Sequence, residues 1–193
     1  MKKLIYLTLI ASTACLMQAY AGPRDSNARA ESVTARKADI AKNNSSMVAV
    51  NKEDAKFAVA AANGGMAEVE LGKLAQEKAV NAKVKDFGAM MVNDHSKVNN
   101  GMKALAKSKG ITLPNVIDKA EQKVMDELSA KSGADFDKAY VKNMIEDHKA
   151  DIKEFEKATK NLKDADLKAF AVKTLPILKR HLAAILKINE GMK

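Results

Sequence analysis

The side chains best suited to chemistry in this chain are its three histidines, His95, His148 and His181. Each lies on the apolar stripe of a different predicted helix, among apolar residues that recur in steps of three and four. An apolar stripe covers about a third of a helix surface, so chance would place all three histidines there in about 1 case in 30. The pattern therefore indicates that histidine belongs inside the folded protein.

A metal site is the chemical interpretation of these histidines. Imidazoles from three facing helices, with a carboxylate from a fourth, could form a pocket of three or four ligands inside a bundle. Glu68 lies nearer the apolar face of its helix than Glu70, so Glu70 is only the second candidate. Met91 and Met144 lie one turn before two of the histidines and are further candidates. Imidazole with thioether suits copper(I), whereas imidazole with carboxylate suits zinc, iron or manganese.

A buried hydrogen-bond network is the alternative interpretation of the same residues. A neutral histidine in a core needs hydrogen-bond partners for both ring nitrogens, and acidic side chains, Tyr140 or a free backbone carbonyl could supply them. Pro176 lacks an N–H, so it frees the carbonyl of Val172 in the last predicted helix. Asp94 and Asp147 lie beside the apolar stripes, where each could orient an imidazole or face solvent. The sequence leaves both interpretations open.

Other kinds of chemistry lack the residues that they need. Di-iron sites of the ferritin type use Glu-x-x-His, because residues three apart share a helix face. Here Val92, Ile145 and Leu178 stand three positions before the histidines, so a mononuclear site is the most that the sequence supports. It contains no glycine-rich phosphate loop and no serine in a turn suited to a nucleophile. We therefore assign no catalytic residue and no organic cofactor, and an enzyme is not favoured.

Helix-forming segments with short connections follow one another from Asn51 onward, and no alternating strand pattern is present. Pro114 fits the first turn of the third helix, and Gly133 marks its end. Connections this short make neighbouring helices antiparallel. The prediction is an all-α, ferritin-like antiparallel bundle of four or five helices. These helices cover about residues 53–79, 82–109, 114–133, 135–162 and 165–189.

An internal repeat with an offset of 53 positions suggests how this bundle is built. Residues 91–95 (Met-Val-Asn-Asp-His) align with residues 144–148 (Met-Ile-Glu-Asp-His), and Glu68 aligns with Glu121. Two helical hairpins, made of the first and second helices and of the third and fourth, therefore look like copies, with a C-terminal helix added. The first helix is rich in alanine and glycine. It can approach its neighbours closely, although Gly64-Gly65 could also bend it.

The amino terminus has the features of a secretory signal peptide. Two lysines precede an apolar run from Leu4 to Met17, and Ala19-Tyr20-Ala21 forms a small-x-small cleavage site. The run is too short for a membrane-spanning helix. Cleavage after Ala21 is favoured over a lipid anchor on Cys15, because no large aliphatic residue stands where a lipidation site has one. The predicted organisation is a signal peptide (1–21), a flexible leader (22–50) and a helical bundle domain (51–193).

Charge and composition limit the partners of the processed chain. The formal net charge of +9 becomes +7 without residues 1–21, which contain two lysines and no acids. The processed chain has no tryptophan and one tyrosine, so no stacking platform for nucleic-acid bases is visible. It would also lack cysteine, which excludes disulfides and thiolate metal sites. We expect no nucleic-acid partner and no membrane span after processing, and we leave open an envelope-associated partner and the oligomeric state.

Several motifs, occurring in the same order, make this chain similar to the bacterial domain-of-unknown-function family 4142. They extend from the first predicted helix to the last. They are Asn63–Gly72 (Asn-Gly-Gly-Met-Ala-Glu-Val-Glu-Leu-Gly), Val84–Phe87, Met91–His95, Gly110–Pro114, Phe136-Asp137, Tyr140, Asp147-His148, Phe155-Glu156, Leu175–Leu178 and His181-Leu182.

The resemblance implies a ferritin-like helical domain in the cell envelope, without an established activity. The family pattern includes histidines that match His95, His148 and His181, and the segment Glu68–Glu70. The family is often labelled "predicted outer membrane protein". Because this chain has no second apolar span, we expect a soluble protein in the periplasm or at the cell surface. A structural or stress-related envelope protein is the alternative to a metal-binding one.

Overall fold

Five helices make up the part of the chain that the computed structural model describes, residues 50–192. No strand occurs in this range, and the predicted all-helical fold is confirmed. The predicted signal peptide and all of the predicted leader except Val50 lie outside the described residues. The helices are α1 (Lys52–Lys78), α2 (Ala82–Ser108), α3 (Lys119–Ser129), α4 (Gly133–Asn161) and α5 (Ala165–Glu190).

Side-chain caps explain where four of these helices begin. Asn51, Asn81, Asp118 and Asp164 each directly precede a helix, and each accepts hydrogen bonds from backbone N–H groups of its first turn. A cap of this kind stabilises a helix by about 1 kcal/mol. The observed bounds of the four long helices lie within two residues of the predicted ones.

The short α3 differs most from its prediction. It begins at Lys119 rather than Pro114, because the side chain of Asp118 accepts hydrogen bonds from the backbone N–H groups of its first turn. It ends at Ser129. Gly133 begins α4 instead of ending α3, and its φ of 57° suits a residue without a Cβ.

A polar layer crosses the middle of the bundle and separates two apolar clusters. The layer consists of Glu68, His95, His148 and His181, each no more than 2 % exposed. The first apolar cluster contains Leu71, Ala75, Ala79, Val84, Phe87, Met91, Leu128, Phe136, Tyr140, Val141, Met144 and Ile185. The second contains Ala58, Ala62, Met102, Phe155, Ala158, Leu162, Leu167, Ala171 and Leu178. The apolar surface buried in these clusters supplies the main driving force for folding.

The four long helices form a ring in which each packs on two others. α1 packs along α2, and α4 packs along α5, while α2 also contacts α5 and α1 contacts α4. Both α2 and α4 lead from the first apolar cluster to the second, so they run in the same direction. The connection between them, which includes α3, therefore returns along the bundle. One long crossover of this kind occurs in ferritin-like bundles.

The second hairpin of long helices is α4–α5, which differs from the pairing that the 53-residue repeat suggested. With 11 residues, α3 is too short to pair along a helix of 29 residues. It lies against α1 and α4 instead. The repeated motif does have a structural counterpart, because the parallel helices α2 and α4 carry His95 and His148 to the same layer.

A buried aspartate from each hairpin holds the turn of the other hairpin. Asp54 of α1 accepts hydrogen bonds from the backbone N–H groups of residues 163–164, in the turn between α4 and α5. Asp137 of α4 accepts hydrogen bonds from the backbone N–H groups of residues 80–81, in the turn between α1 and α2. The two aspartates are 83 positions apart, as are the two turns. The hairpins α1–α2 and α4–α5 thus correspond to each other in the structure.

Two glycines bring α1 and α2 into close contact, as the composition of the first helix predicted. A Cβ on Gly72 would lie 2.7 Å from the backbone oxygen of Gly88, and a Cβ on Gly88 would lie 2.6 Å from that of Gly72. Gly64 and Gly65 do not interrupt α1, which is continuous from Lys52 to Lys78.

Within residues 50–192, no helix combines the length and the apolar character that crossing a membrane requires.

The contact between α1 and α2 can be tested with a pair of glycine substitutions. Gly88→Ala should lower the free energy of unfolding by about 1–3 kcal/mol, because the new methyl group collides with backbone. Gly64→Ala is the control, since a Cβ there meets nothing within 4 Å. It should raise stability by about 0.5–1 kcal/mol through helix propensity. Urea unfolding followed by circular dichroism measures both, and equal effects would contradict the close contact.

Candidate metal centre

Three helices bring the three histidines together in the polar layer. His95 comes from α2, His148 from α4 and His181 from α5, and their ring centroids lie 5.1–6.1 Å apart. One nitrogen of each ring lies within 4.8 Å of a nitrogen of the other two. The structure therefore places all three histidines that the sequence singled out in one buried cluster.

Glu68 of α1 supplies the carboxylate of this cluster. Its Oε2 lies 2.7 Å from His95 Nδ1, and its Oε1 lies 3.3 Å from His148 Nε2. Glu70, the second candidate, is exposed and forms a surface ion pair with Lys73. Glu70 is thus excluded from the cluster, because two positions along a helix turn a side chain to a different face.

His148 and His181 each direct one ring nitrogen outwards to an acceptor. His148 Nδ1 donates to the backbone carbonyl of Met144 at 2.9 Å, and this contact fixes the tautomer because a carbonyl cannot donate. His181 Nε2 lies 3.0 Å from Asp94 Oδ2. Arg180 holds the same carboxylate oxygen at 2.7 Å. Asp94 therefore orients the histidine of a neighbouring helix and not His95, which follows it in the sequence.

The remaining ring nitrogens face the centre of the layer. Since His148 Nδ1 and His181 Nε2 carry the hydrogens of neutral rings, His148 Nε2 and His181 Nδ1 present lone pairs. His95 Nε2 lies 3.3 Å from His181 Nδ1. The contact between His148 Nε2 and Glu68 Oε1, also 3.3 Å, does not have hydrogen-bond geometry, and both atoms are buried without a hydrogen-bond partner in the described part of the chain.

This cluster has more polar contacts than hydrogens to fill them. Five contacts join the three imidazoles to one another, to Glu68, to Asp94 and to the Met144 carbonyl, and each needs one hydrogen. Three neutral rings supply three hydrogens, and a protonated Glu68 supplies a fourth. One contact must then join two lone pairs, and the unpartnered atoms identify it as that between His148 and Glu68. A buried polar atom without a partner costs about 1–3 kcal/mol.

Burial keeps the histidines neutral. Desolvation lowers the pKa of His95 to about 4, that of His148 to about 3 and that of His181 to about 4. At neutral pH each ring therefore offers a lone pair, as a metal ligand must.

Burial acts in the opposite direction on the carboxylate. Desolvation, helped by the charge of Glu121, raises the pKa of Glu68 to about 8. The pKa of Asp94 differs: its partial burial acts to raise it, but the hydrogen bonds from His181 and Arg180 lower it overall. Asp94 is thus a carboxylate at neutral pH, whereas Glu68 holds a proton until a cation or a higher pH removes it.

Two further carboxylates of α4 lie beside the cluster. An oxygen of Asp147 lies within 4.8 Å of ligand atoms of Glu68 and His148. Asp151, one turn further along α4, lines a surface groove. Desolvation, followed by the charge of Glu68, raises the pKa of both aspartates. Sequence reasoning missed Asp151, although its spacing of four from Asp147 places both on one face of α4.

The other predicted partners have different surroundings. Met91 and Met144 are fully buried in the first apolar cluster, and Met144 contributes its backbone carbonyl to the site. Tyr140 was suggested as a histidine partner, but its hydroxyl has no hydrogen-bond partner among the described residues, and its ring stacks on Phe136. The carbonyl of Val172 does not take part in the histidine contacts either.

Comparisons with known proteins agree on the fold. The family model of the domain of unknown function DUF4142 matches residues 39–188. A DUF305 fragment from Deinococcus radiodurans is similar in structure, with a TM-score of 0.63 at 10 % sequence identity over 72 % of this chain and 96 % of that chain. A DUF305 protein from Streptomyces coelicolor has a TM-score of 0.61 at 13 % identity over 72 % of this chain and 93 % of that one. No curated protein matches the sequence.

The raised pKa of Glu68 predicts how stability depends on pH without metal. Its folded pKa of about 8 exceeds the ordinary glutamate value of 4.5, so the folded state binds one more proton than the unfolded state between these pH values. Stability should therefore decrease as the pH rises from 6.5 to 8, by up to about 1 kcal/mol per pH unit. Glu68→Gln should reduce this slope, and Glu70→Gln should not. Urea unfolding in the presence of a chelator measures it; equal slopes in all three proteins would mean that the folded state does not hold this proton.

Proposed function

Since this chain belongs to the DUF4142 family, whose description assigns no activity, its function must be argued from its site, and we propose that it binds one transition-metal ion. The ligands are His95, His148, His181 and Glu68. One observation carries the proposal: His148 and His181 each give one nitrogen to an acceptor outside the cluster and turn the other towards it, where His95 and Glu68 also lie. Metal-binding histidines have this arrangement, because the outer acceptor fixes the tautomer and the orientation of the ring.

Two distances between inner atoms suit a tetrahedral ion. Zinc binds imidazole nitrogen at about 2.0–2.1 Å and carboxylate oxygen at about 2.0–2.2 Å, so neighbouring ligand atoms lie about 3.3–3.5 Å apart. The contacts between His95 and His181 and between His148 and Glu68, both 3.3 Å, agree with this spacing. Glu68 would bind the ion through Oε1 and accept the hydrogen of His95 through Oε2.

The competing function is that of a structural or stress-related envelope protein, in which the same residues only hydrogen-bond to one another. In such a network His148 Nε2 and Glu68 Oε1 are two buried acceptors that face each other, and no hydrogen lies between them. A cation between these atoms turns an unfavourable contact into two coordinate bonds. This difference favours the metal ion over the network.

The proposed ligand set indicates storage, buffering or structural use of the ion rather than catalysis. Four protein ligands complete a tetrahedron, whereas catalytic zinc keeps one position for water or substrate. Imidazole and carboxylate together suit zinc, iron, manganese or copper(II). Zinc is the simplest choice for a closed tetrahedral site, because it has no geometric preference of its own.

The proposal extends to the location of the protein. The apolar run Leu4–Met17 and the site Ala19-Tyr20-Ala21 support export with cleavage after Ala21. We therefore propose that the bundle binds its metal in the periplasm or at the cell surface.

Export can be tested by expressing the full chain in a bacterial host and fractionating the cells. The periplasmic protein should begin at Gly22, as measured by intact mass. Ala21→Leu should retain the precursor, because signal peptidase requires a small residue there. An acylated form beginning at Cys15 would instead establish the lipid anchor, and an unprocessed wild type in the cytoplasm would contradict export.

Metal binding can be tested on untagged protein purified without chelator. Elemental analysis should find about one ion per chain, and Co²⁺ added to the stripped protein should give visible bands of tetrahedral coordination. Glu68→Gln and His148→Gln should each weaken binding by at least about 10-fold. Glu70→Gln is the matched control, since it removes a carboxylate two positions away that is exposed.

The competing function predicts a different set of results. The wild type would purify without metal, and its melting temperature would not change with zinc, manganese, iron or copper. Equal binding by wild type and Glu68→Gln, with loss only in the histidine variants, would remove Glu68 from the ligand set while keeping the three imidazoles.

A further inference from the structure

The proposed ligands are shut off from solvent. Glu68, His95, His148 and His181 are at most 2 % exposed, so a hydrated ion can reach them only where the bundle offers polar groups in place of its water. The charge of the processed chain, formally +7, also opposes a cation. A route to the centre therefore needs side-chain oxygens that can bind a cation.

One face of α4 carries two carboxyl groups, that of Asp151 in a surface groove and that of Asp147 beside the polar layer. Asp151 lines a groove of about 310 Å³ between α1 and α4. At the rim of this groove Glu53 and Glu154 are already paired with lysines at 2.8 and 2.6 Å. Asp151 and Asp147 have no such partner among residues 50–192, so their carboxyl oxygens remain available to a passing cation.

The inner end of this face meets two unpartnered buried atoms. Asp147 has an oxygen within 4.8 Å of ligand atoms of both Glu68 and His148. Glu68 Oε1 and His148 Nε2 have no hydrogen-bond partner among residues 50–192, and their side chains are 1 % and 0 % exposed. These atoms distinguish the group from an ordinary acidic surface cluster, because they are buried acceptors that a cation would satisfy.

We propose that Asp151 and Asp147 form the access route of the metal ion, and that Glu68, Asp147 and His148 are its first binding position. The ion then passes to the three imidazoles by exchanging the oxygen of Asp147 for nitrogens of His95 and His181, while His148 and Glu68 stay bound. This inference rests on the proposed function, since it describes how the same centre fills and empties.

The test compares the rates of metal uptake and release. Stripped wild type, Asp151→Asn and Glu146→Gln are mixed with Co²⁺ in a stopped-flow spectrometer, and release is measured with an excess of chelator. Glu146 is the matched control, because it is an exposed acid of α4 next to Asp147. Asp151→Asn should slow both uptake and release by about 10-fold, and the uptake rate should depend less on salt than in the wild type. Glu146→Gln should change neither rate.

A ligand and a route residue behave differently in this experiment. Faster release from Asp151→Asn, with weaker binding, would show that Asp151 is a ligand and would overturn the route. Rates of uptake and release equal to those of the wild type would also overturn it. Asp147→Asn gives a second measurement, because it should slow uptake as well, through loss of the first binding position. If the wild type itself takes up no Co²⁺, the proposed function fails and this inference fails with it. Uptake by the wild type with unchanged rates in both variants rejects the inference alone.

Discussion

The burial of one carboxyl group against two imidazoles of a three-histidine cluster is the constraint on which the structure depends. Glu68 is 1 % exposed and forms no ion pair with a lysine or arginine of residues 50–192; its contacts are with the neutral rings of His95 and His148. An ionised carboxylate in such a place is expensive unless a cation accompanies it, and a protonated one leaves a neighbouring nitrogen unsatisfied. Every helix of the ring contributes one residue to this layer, so the axial positions of all four helices are linked. A slip of one turn would move a ligand by about 5.4 Å and separate the cluster.

The two apolar clusters keep the helices at these positions. They lie on opposite sides of the polar layer and draw residues from all four long helices, so a sliding helix would lose apolar contacts at both ends. The close backbone approach at Gly72 and Gly88 fixes α1 against α2 in the same way. Packing thus determines the axial positions of the helices. The chemistry of the polar layer comes from the few polar groups that this packing brings together.

Periodicity and local signals predicted much of this molecule. The apolar stripes alone place three histidines inside the bundle and separate Glu68 from Glu70, because a helix of 3.6 residues per turn determines which side chains share a face. Caps such as Asn51 and Asp164 are local as well, so the long helices were predicted nearly to the residue.

Features that depend on contacts between distant segments were not predictable in this way. The contact of Asp94 with His181 joins α2 to α5, and nothing near Asp94 in the sequence distinguishes it from a solvated acid. Likewise, the match between residues 91–95 and 144–148 did not indicate that the hairpin α1–α2 corresponds to the hairpin α4–α5. That correspondence is seen only in the structure, where Asp54 and Asp137 each bind the turn of the opposite hairpin. The solved structures with 10–13 % identity share the fold alone, and a shared fold does not carry the chemistry of a site.

The reciprocal hydrogen bonds of these two aspartates have a consequence for assembly. Asp54 accepts hydrogen bonds from the turn of the second hairpin, and Asp137 accepts them from the turn of the first. Each hairpin therefore makes the same kind of contact with the other. Two copies of the chain could therefore exchange hairpins and rebuild every one of these contacts between molecules. Only the crossover, residues 109–132, would have to change its course. The contacts that hold the two hairpins together within one chain are thus of the kind that a domain-swapped dimer forms between two chains.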